Sequence, residues 1–278
     1  MILDDLLKTT SFVFLFFCTL LFSRWIKDLL TPYKINNELI KKDNLAISLS
    51  ICGYYLGVEI IFIGSLIGPS YGFKEDLTAI FMYSFLGLVF LNLSRYINEK
   101  VLLRKFCNIE HLTKKQNVAV GAVQFGTYIA TSLIAAGSIS GIGGGIVSAT
   151  VFFSFGQLSL LLFSFIYEKT NGYAIYKELE KQNTAAGVAF SGALIAIGII
   201  ILNGVSGDFQ SWKNDLINLA IINIIAFIYL PIIRMIVNKL AVSKTTLSLE
   251  IVEDRNIGAG LLEASICISS ACILKILL

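Results

Sequence analysis

Two acidic side chains, Glu59 and Glu263, stand inside long apolar stretches of the chain. A carboxylate in hydrocarbon is expensive, and it is kept where it lines a cavity, meets a neighbouring helix or relays protons and cations. Half a chain before Glu263 stands a second polar group, Gln124, so Glu59, Gln124 and Glu263 are the candidate residues of a pathway. The structural alternative is a protonated acid hydrogen-bonded to an adjacent helix. Asn92, Asn223 and the run Ser148, Thr150, Ser154, Gln157, Ser159 could line water, or could bond to carbonyls of their own helices. Other chemistries lack their residues. The five cysteines form no Cys-x-x-Cys pair and His111 is the single histidine, so neither a metal centre nor a disulfide framework is expected. His111 itself is expected to be a solvated loop residue. The stretch Gly141-Ile142-Gly143-Gly144-Gly145 has no following Lys-Ser/Thr, and it reads as a tight turn between helices, not a phosphate loop. Without a nucleophile–base pair, an enzyme is not expected and no cofactor is implied.

Four asparagines recur in one setting: Lys42-Asp43-Asn44-Leu45-Ala46, Lys115-Gln116-Asn117-Val118-Ala119, Lys181-Gln182-Asn183-Thr184-Ala185 and Asp254-Arg255-Asn256-Ile257-Gly258. Asn is a preferred N-cap, and first-turn N–H groups left unpaired at a bilayer surface are costly. Asn44, Asn117, Asn183 and Asn256 are therefore expected to start helices; the functional alternative is a ring of four amides at the mouth of a central path. Small residues follow each Asn at recurring distances, as in Ala46, Gly53, Gly57, Gly64 and Gly68. Steps of seven and four keep them on one helical stripe. Helices in lipid associate through such close-packing stripes, so these spans should form an inner bundle, with Phe- and Leu-rich spans outside. Both acids point away from the stripe, by roughly 130–150° at 100° per residue.

The elements that carry these residues are membrane spans. The chain has 278 residues, 56% of them hydrophobic and 15% charged, against about 45–50% and 25% in soluble domains. Eight apolar runs approach the roughly 20 residues a crossing helix needs: Ser11–Leu30, Leu45–Ile67, Leu77–Leu93, Val118–Ala136, Ile146–Ile166, Thr184–Leu202, Leu216–Ile236 and Ile257–Leu278. Their continuity excludes the alternating strands of a barrel. Asp4 and Asp5 stand where a signal peptide carries positive charge, so the first run is expected to remain as a span.

Lys and Arg divide by loop. Segments joining spans 1–2, 3–4, 5–6 and 7–8 hold 18 of the 22, and the other side holds Lys8, Lys74, Lys213 and Lys275. Positive loops stay cytoplasmic, which predicts both termini outside. Acids such as Asp43, Glu99 and Glu178 interrupt these loops, and topology already accounts for the positive charge; nucleic acid is not an expected partner, while anionic headgroups are.

One offset of 139 residues relates Asn44 to Asn183 and Asn117 to Asn256, and also Arg95 to Arg234, Asp76 to Asp215 and Lys100 to Lys239. The expected fold is therefore all-α and integral to the membrane, about eight helices in two tandem four-helix halves, residues 1–139 and 140–278. Four spans per half give both halves the same orientation, a parallel repeat. The Asn-x-Ala/Gly starts followed by glycine-rich spans resemble the bacterial membrane family catalogued as domain of unknown function 350, with four two-helix units along the chain. The resemblance implies a multi-pass protein of the bacterial inner membrane and carries over no catalytic residue. Two functions fit: a channel or transporter for protons or small cations, or a scaffold or sensor recruiting partners through basic loops. The bilayer is the one required partner; a homo-oligomer is left open.

Overall fold

The computed structural model describes residues 2–102, 108–240 and 245–278. Cys107, one of the five cysteines, and Arg104, Lys105 and Lys244, three of the 18 loop cations, lie outside the described residues. Every described element is a helix: α1 (Ile2–Leu30), α2 (Ile35–Ile40), α3 (Leu45–Leu66), α4 (Phe73–Val101), α5 (Asn108–Thr113), α6 (Val118–Ile139), α7 (Gly145–Thr170), α8 (Ile175–Glu180), α9 (Thr184–Val205), α10 (Trp212–Leu240), α11 (Leu247–Val252) and α12 (Ile257–Leu277). Eight of them are long and apolar enough to cross a membrane. The other four, α2, α5, α8 and α11, are single six-residue helices in the basic loops, too short for hydrophobic periodicity to reveal. The odd-numbered spans outrun their apolar cores: α4 and α10 begin with acids in the first turn and end with a lysine in the last, which suits the helix dipole. Pro231 lies inside α10, which continues through it.

The four Asn-led helices stand side by side as a row, α3–α6–α9–α12, and this is the densest packing in the molecule. One register recurs at every junction. The position two beyond the Asn of one helix meets the position four beyond the Asn of the next, so that a β-carbon on Gly121, Gly187 or Gly260 would strike the carbonyl oxygen of Ala46, Ala119 or Ala185. Likewise position nine meets position eight: Gly53, Gly126 and Gly192 lie directly on the backbone of Phe125, Ser191 and Ala264. The remaining spans pack around this row, α4 against α3 and α6, α7 against α6 and α9, α10 against α9 and α12, and α1 against α3 and α4. The inner and outer sets are as expected. The asparagines, however, follow the row and form no ring, because α3 and α12 share no such junction.

Each Asn caps its helix: the side-chain oxygens of Asn44, Asn117, Asn183 and Asn256 accept from the backbone N–H three residues on. The residue before each one, Asp43, Gln116, Gln182 or Arg255, has positive φ, which turns the short helix back onto the span. The amide nitrogens do a second job. Asn44 Nδ2 donates to Leu112 O, Asn117 Nδ2 to Leu179 O and Asn183 Nδ2 to Ile251 O, each at 2.8 Å. These three caps thus also bind the short helix of the following unit. Asn256 meets no further short helix among the described residues; it is exposed, and its amide donates there only to Glu250 Oε2. Asn183→Ala is therefore expected to cost about 2–3 kcal/mol, a lost cap plus an orphaned buried carbonyl. Asn256→Ala, losing mainly a cap, should cost about 1 kcal/mol. Thermal unfolding in detergent measures both, and equal losses would contradict the linking role.

Candidate functional site

Glu263 is 1% exposed and its Oε1 accepts from Arg234 Nε and from Tyr167 OH, both at 2.7 Å. It sits two turns into α12, while Arg234 reaches in from the end of α10 and Tyr167 from the end of α7. The Arg234 guanidinium lies 5.4 Å from the Tyr167 ring centre and 5.8 Å from that of Tyr173, so aromatic faces complete its surroundings. Arg234 belongs to this buried ion pair, and not with the headgroup-facing charges of the basic loops as its sequence position suggests. A long cation can be withdrawn from the interface when a carboxylate waits inside.

The first half holds an edited copy of this site. At the offset of 139 residues, Arg95 stands for Arg234 and Gln124 for Glu263, but Glu99 stands for Asn238. The carboxylate and the amide have exchanged positions. Arg95 Nε lies 3.8 Å from Glu99 Oε1, on its own helix, and its Nη2 donates to Leu30 O. Gln124, relieved of the arginine, accepts from Ser50 OH at 2.6 Å. Lys27, 1% exposed, completes the site by donating to Tyr128 OH, with its Nζ 4.8 Å from the ring centre of Tyr54. Lys27 too, one of the 18 cations on the basic side by sequence, turns inward.

Arg95, Asn98, Glu99, Gln124, Tyr128 and Thr131 line a small cavity of about 20 Å³ here, room for a water molecule. Its inner wall is a closed set of hydrogen bonds: Gln157 Nε2 to Asn98 Oδ1 at 2.6 Å, Asn98 Nδ2 to Thr131 Oγ1 at 3.3 Å, and Thr131 Oγ1 to Gln157 Oε1 at 3.3 Å. One turn further along α7, Phe153 stacks on Phe90 with ring centres 4.1 Å apart. Beyond this pair, at the opposite ends of α6 and α7, Ser138, Ser148, Asp208 and Asp215 line a second cavity of about 70 Å³. The three candidate pathway residues do not converge. Gln124 lines the first cavity, Glu263 is in the second half's ion pair, and Glu59 is half-buried on the free edge of α3 with no hydrogen bond or ion pair among the described residues.

The expectation for His111 needs correction. It is 3% exposed, and its Nδ1 lies 3.0 Å from Asn117 Nδ2 and its Nε2 3.1 Å from Lys115 Nζ. Six residues before Asn117, it replaces the glutamate that holds the Asn amide in the other units: Glu38 and Glu250, six before theirs, and Glu178, five before. That spacing was visible in the sequence, but a lone histidine in a loop gives no hint of burial. Burial and the Lys115 charge hold the His111 pKa below its ordinary 6.5. The fold therefore keeps the neutral imidazole, and as pH falls below about 6.5 the unfolded chain takes up a proton that the native state resists. Stability contributed by His111 is complete above that pH and is lost on acidification. His111→Glu should abolish this loss and restore the pairing that Lys42 and Lys181 make with Glu38 and Glu178. Melting temperatures at about pH 7.5 and 5.5 test it; an unchanged acid-induced drop would contradict it.

Comparison with known proteins agrees with this architecture. No solved structure matches the chain. A UPF0719 transmembrane protein of Aquifex aeolicus (strain VF5) is 26% identical over 257 residues, covering 90% of this chain and 93% of the relative. The family described as Domain of Unknown Function (DUF350) matches twice, over residues 1–139 and 141–278. With both halves matched in tandem, the chain belongs to the DUF350 family of membrane proteins.

Proposed function

We propose that the protein passes protons or a small cation across the bilayer between α4, α6 and α7, where its two halves meet. The observation that carries this reading is the order of groups along α7: a polar cavity at Ser148, the stacked Phe153–Phe90 pair, then Gln157 and its network opening toward Gln124, Arg95 and Glu99. A polar cavity at one end and a water-sized cavity beside Gln124, Arg95 and Glu99 at the other, with one aromatic layer between them, suit an occluded path. Intramembrane ionisable groups, as at Lys27, mark such routes. In liposomes loaded with a pH dye or a potassium reporter, wild-type protein should give flux above empty vesicles. Phe90→Ala should raise it several-fold and Gln157→Leu should lower it. No flux of any ion tested, in either wild type or Phe90→Ala, would overturn the proposal.

The second reading, a scaffold, rests on the Asn-linked line of α2, α5, α8 and α11, which forms a continuous ledge on the basic side of the membrane. For either function we place that ledge in the cytoplasm of a bacterial cell, with both termini outside, from the division of Lys and Arg. Single cysteines at Lys42 or Lys115, in a chain without its native cysteines, should react only with membrane-permeant thiol reagents. Labelling by impermeant reagents on intact cells would reverse the orientation.

A further inference from the structure

The row of inner helices has two different ends, and they are the two halves of its own internal junction. Between successive units, positions two, nine, thirteen and twenty beyond one Asn face positions four, eight, fifteen and nineteen beyond the next; Gly198 on Ala130 and Gly64 on Ala136 are examples of the later pairs. On α12 the first set is uncovered: Gly258, Ser265 and Ser269 are exposed, and Ile276 is 84% exposed. On α3 the second set is uncovered: Cys52 is exposed, Ser48 and Glu59 are half-buried, and Ile63 is 57% exposed. We propose that copies of this protein associate head to tail, α12 of one copy packing on α3 of the next in the register of the internal junctions.

Three independent features support a second copy as the occupant. The same junction is built three times within the chain, so the register proposed for the contact is one that these helices already adopt. Asn256, exposed and one bond short of Asn44, Asn117 and Asn183, would donate to Leu39 O of the next copy, since Leu39 stands five residues before its Asn as Leu112 and Ile251 do. Glu59 falls at position fifteen, about 22 Å along α3, on a face otherwise turned to lipid. A neighbouring copy would cover it and set Ser269 beside its carboxyl, as Ala130 lies beside Gly198. Glu59 would then be an interface residue. Ser265 replaces the glycine found at position nine in the three internal junctions, so this contact is a wider version of them, still of the small and polar kind that joins helices in membranes. Such a heterologous contact either closes into a ring or continues as a filament.

Disulfide trapping in native membranes tests the register. Position nine meets position eight, so Ser265→Cys should cross-link to the native Cys52 of the next copy, with Cys18, Cys107, Cys267 and Cys272 replaced by serine or alanine. Oxidation should give a ladder of dimers, trimers and higher multiples. Co-expressing a chain bearing only Cys52 with one bearing only Ser265→Cys should give dimers and nothing larger. Each single-cysteine chain alone should stay uncross-linked. Dimers from Cys52 alone would indicate a two-fold α3–α3 contact and overturn the proposal. So would absence of any cross-link when the chain is present in the membrane at wild-type levels. Cys52 and Ser265 are both exposed, so neither the cysteine substitution nor its oxidation disturbs a core.

Discussion

Glu263→Gln lowers the stability of the folded chain by about 3–5 kcal/mol, the cost of stranding one partner of a buried ion pair, and adding Asn238→Glu recovers most of that loss. Gln is close to Glu in shape, and Gln124 occupies the equivalent place in the first half, so shape alone predicts tolerance. Charge predicts the opposite. Gln124 coexists with Arg95 because Glu99, one turn along the same helix, serves that arginine. In the second half that position is Asn238, whose oxygen instead accepts from Ser248 N–H at 2.8 Å. Glu263→Gln therefore leaves Arg234, 4% exposed, with no carboxylate in contact among the described residues. Asn238→Glu transplants the first-half solution. The recovery falls short by about 1 kcal/mol, because Ser248 loses its bond. Thermal unfolding of wild type, both single variants and the double variant in one detergent measures the coupling. Additive single effects would show that the two halves do not share a common site. The double variant also separates roles: if flux falls in a chain whose stability is restored, Glu263 acts in transport beyond holding Arg234.

The swapped carboxylate and amide mark the boundary of what the sequence alone makes legible. Repeats, spans and helix starts were legible because they repeat: Asn44 or Asn183 alone is an ordinary cap, but four at fixed spacing with small residues behind them define an inner set of helices. The offset of 139 residues also contained Arg95 with Arg234, and Glu99 with Asn238, hence the site itself. It is not legible there because an arginine or lysine near the end of a span ordinarily faces the headgroups. Lys27 and Arg234 turn inward, and only coordinates show the direction of a long side chain near a helix end. The row was hidden for a different reason. Small-residue stripes establish that helices pack closely, yet a stripe alone does not tell whether four helices close into a ring. That depends on helices such as Gly121–Gly126 of α6 meeting one neighbour through position four and the other through position nine, two faces on one helix.

That two-faced packing gives the second large effect: Gly192→Leu should cost more than about 3 kcal/mol and Gly192→Ala about 1–3 kcal/mol. In a loosely packed helix the sign would reverse, since alanine exceeds glycine in helix propensity by about 1 kcal/mol. At Gly192 the added carbon meets the Cβ, Cα and carbonyl carbon of Ala264, and two of these three are backbone. Relief then requires α9 and α12 to separate, which loosens the whole junction, including the neighbouring Gly260–Ala185 contact. Ala264→Gly removes one obstacle of three, so it should rescue Gly192→Ala only in part. Ile224→Leu on the exposed face of α10 should change little, because its 59% exposed side chain has no close-packed partner to displace. Gly258→Ala, with only the Asn256 side chain near its added carbon, should be far milder than Gly192→Ala. Melting temperatures of the five variants rank these outcomes. Equal values for Gly192→Leu and Ile224→Leu would mean that the α9–α12 seam does not hold the fold together.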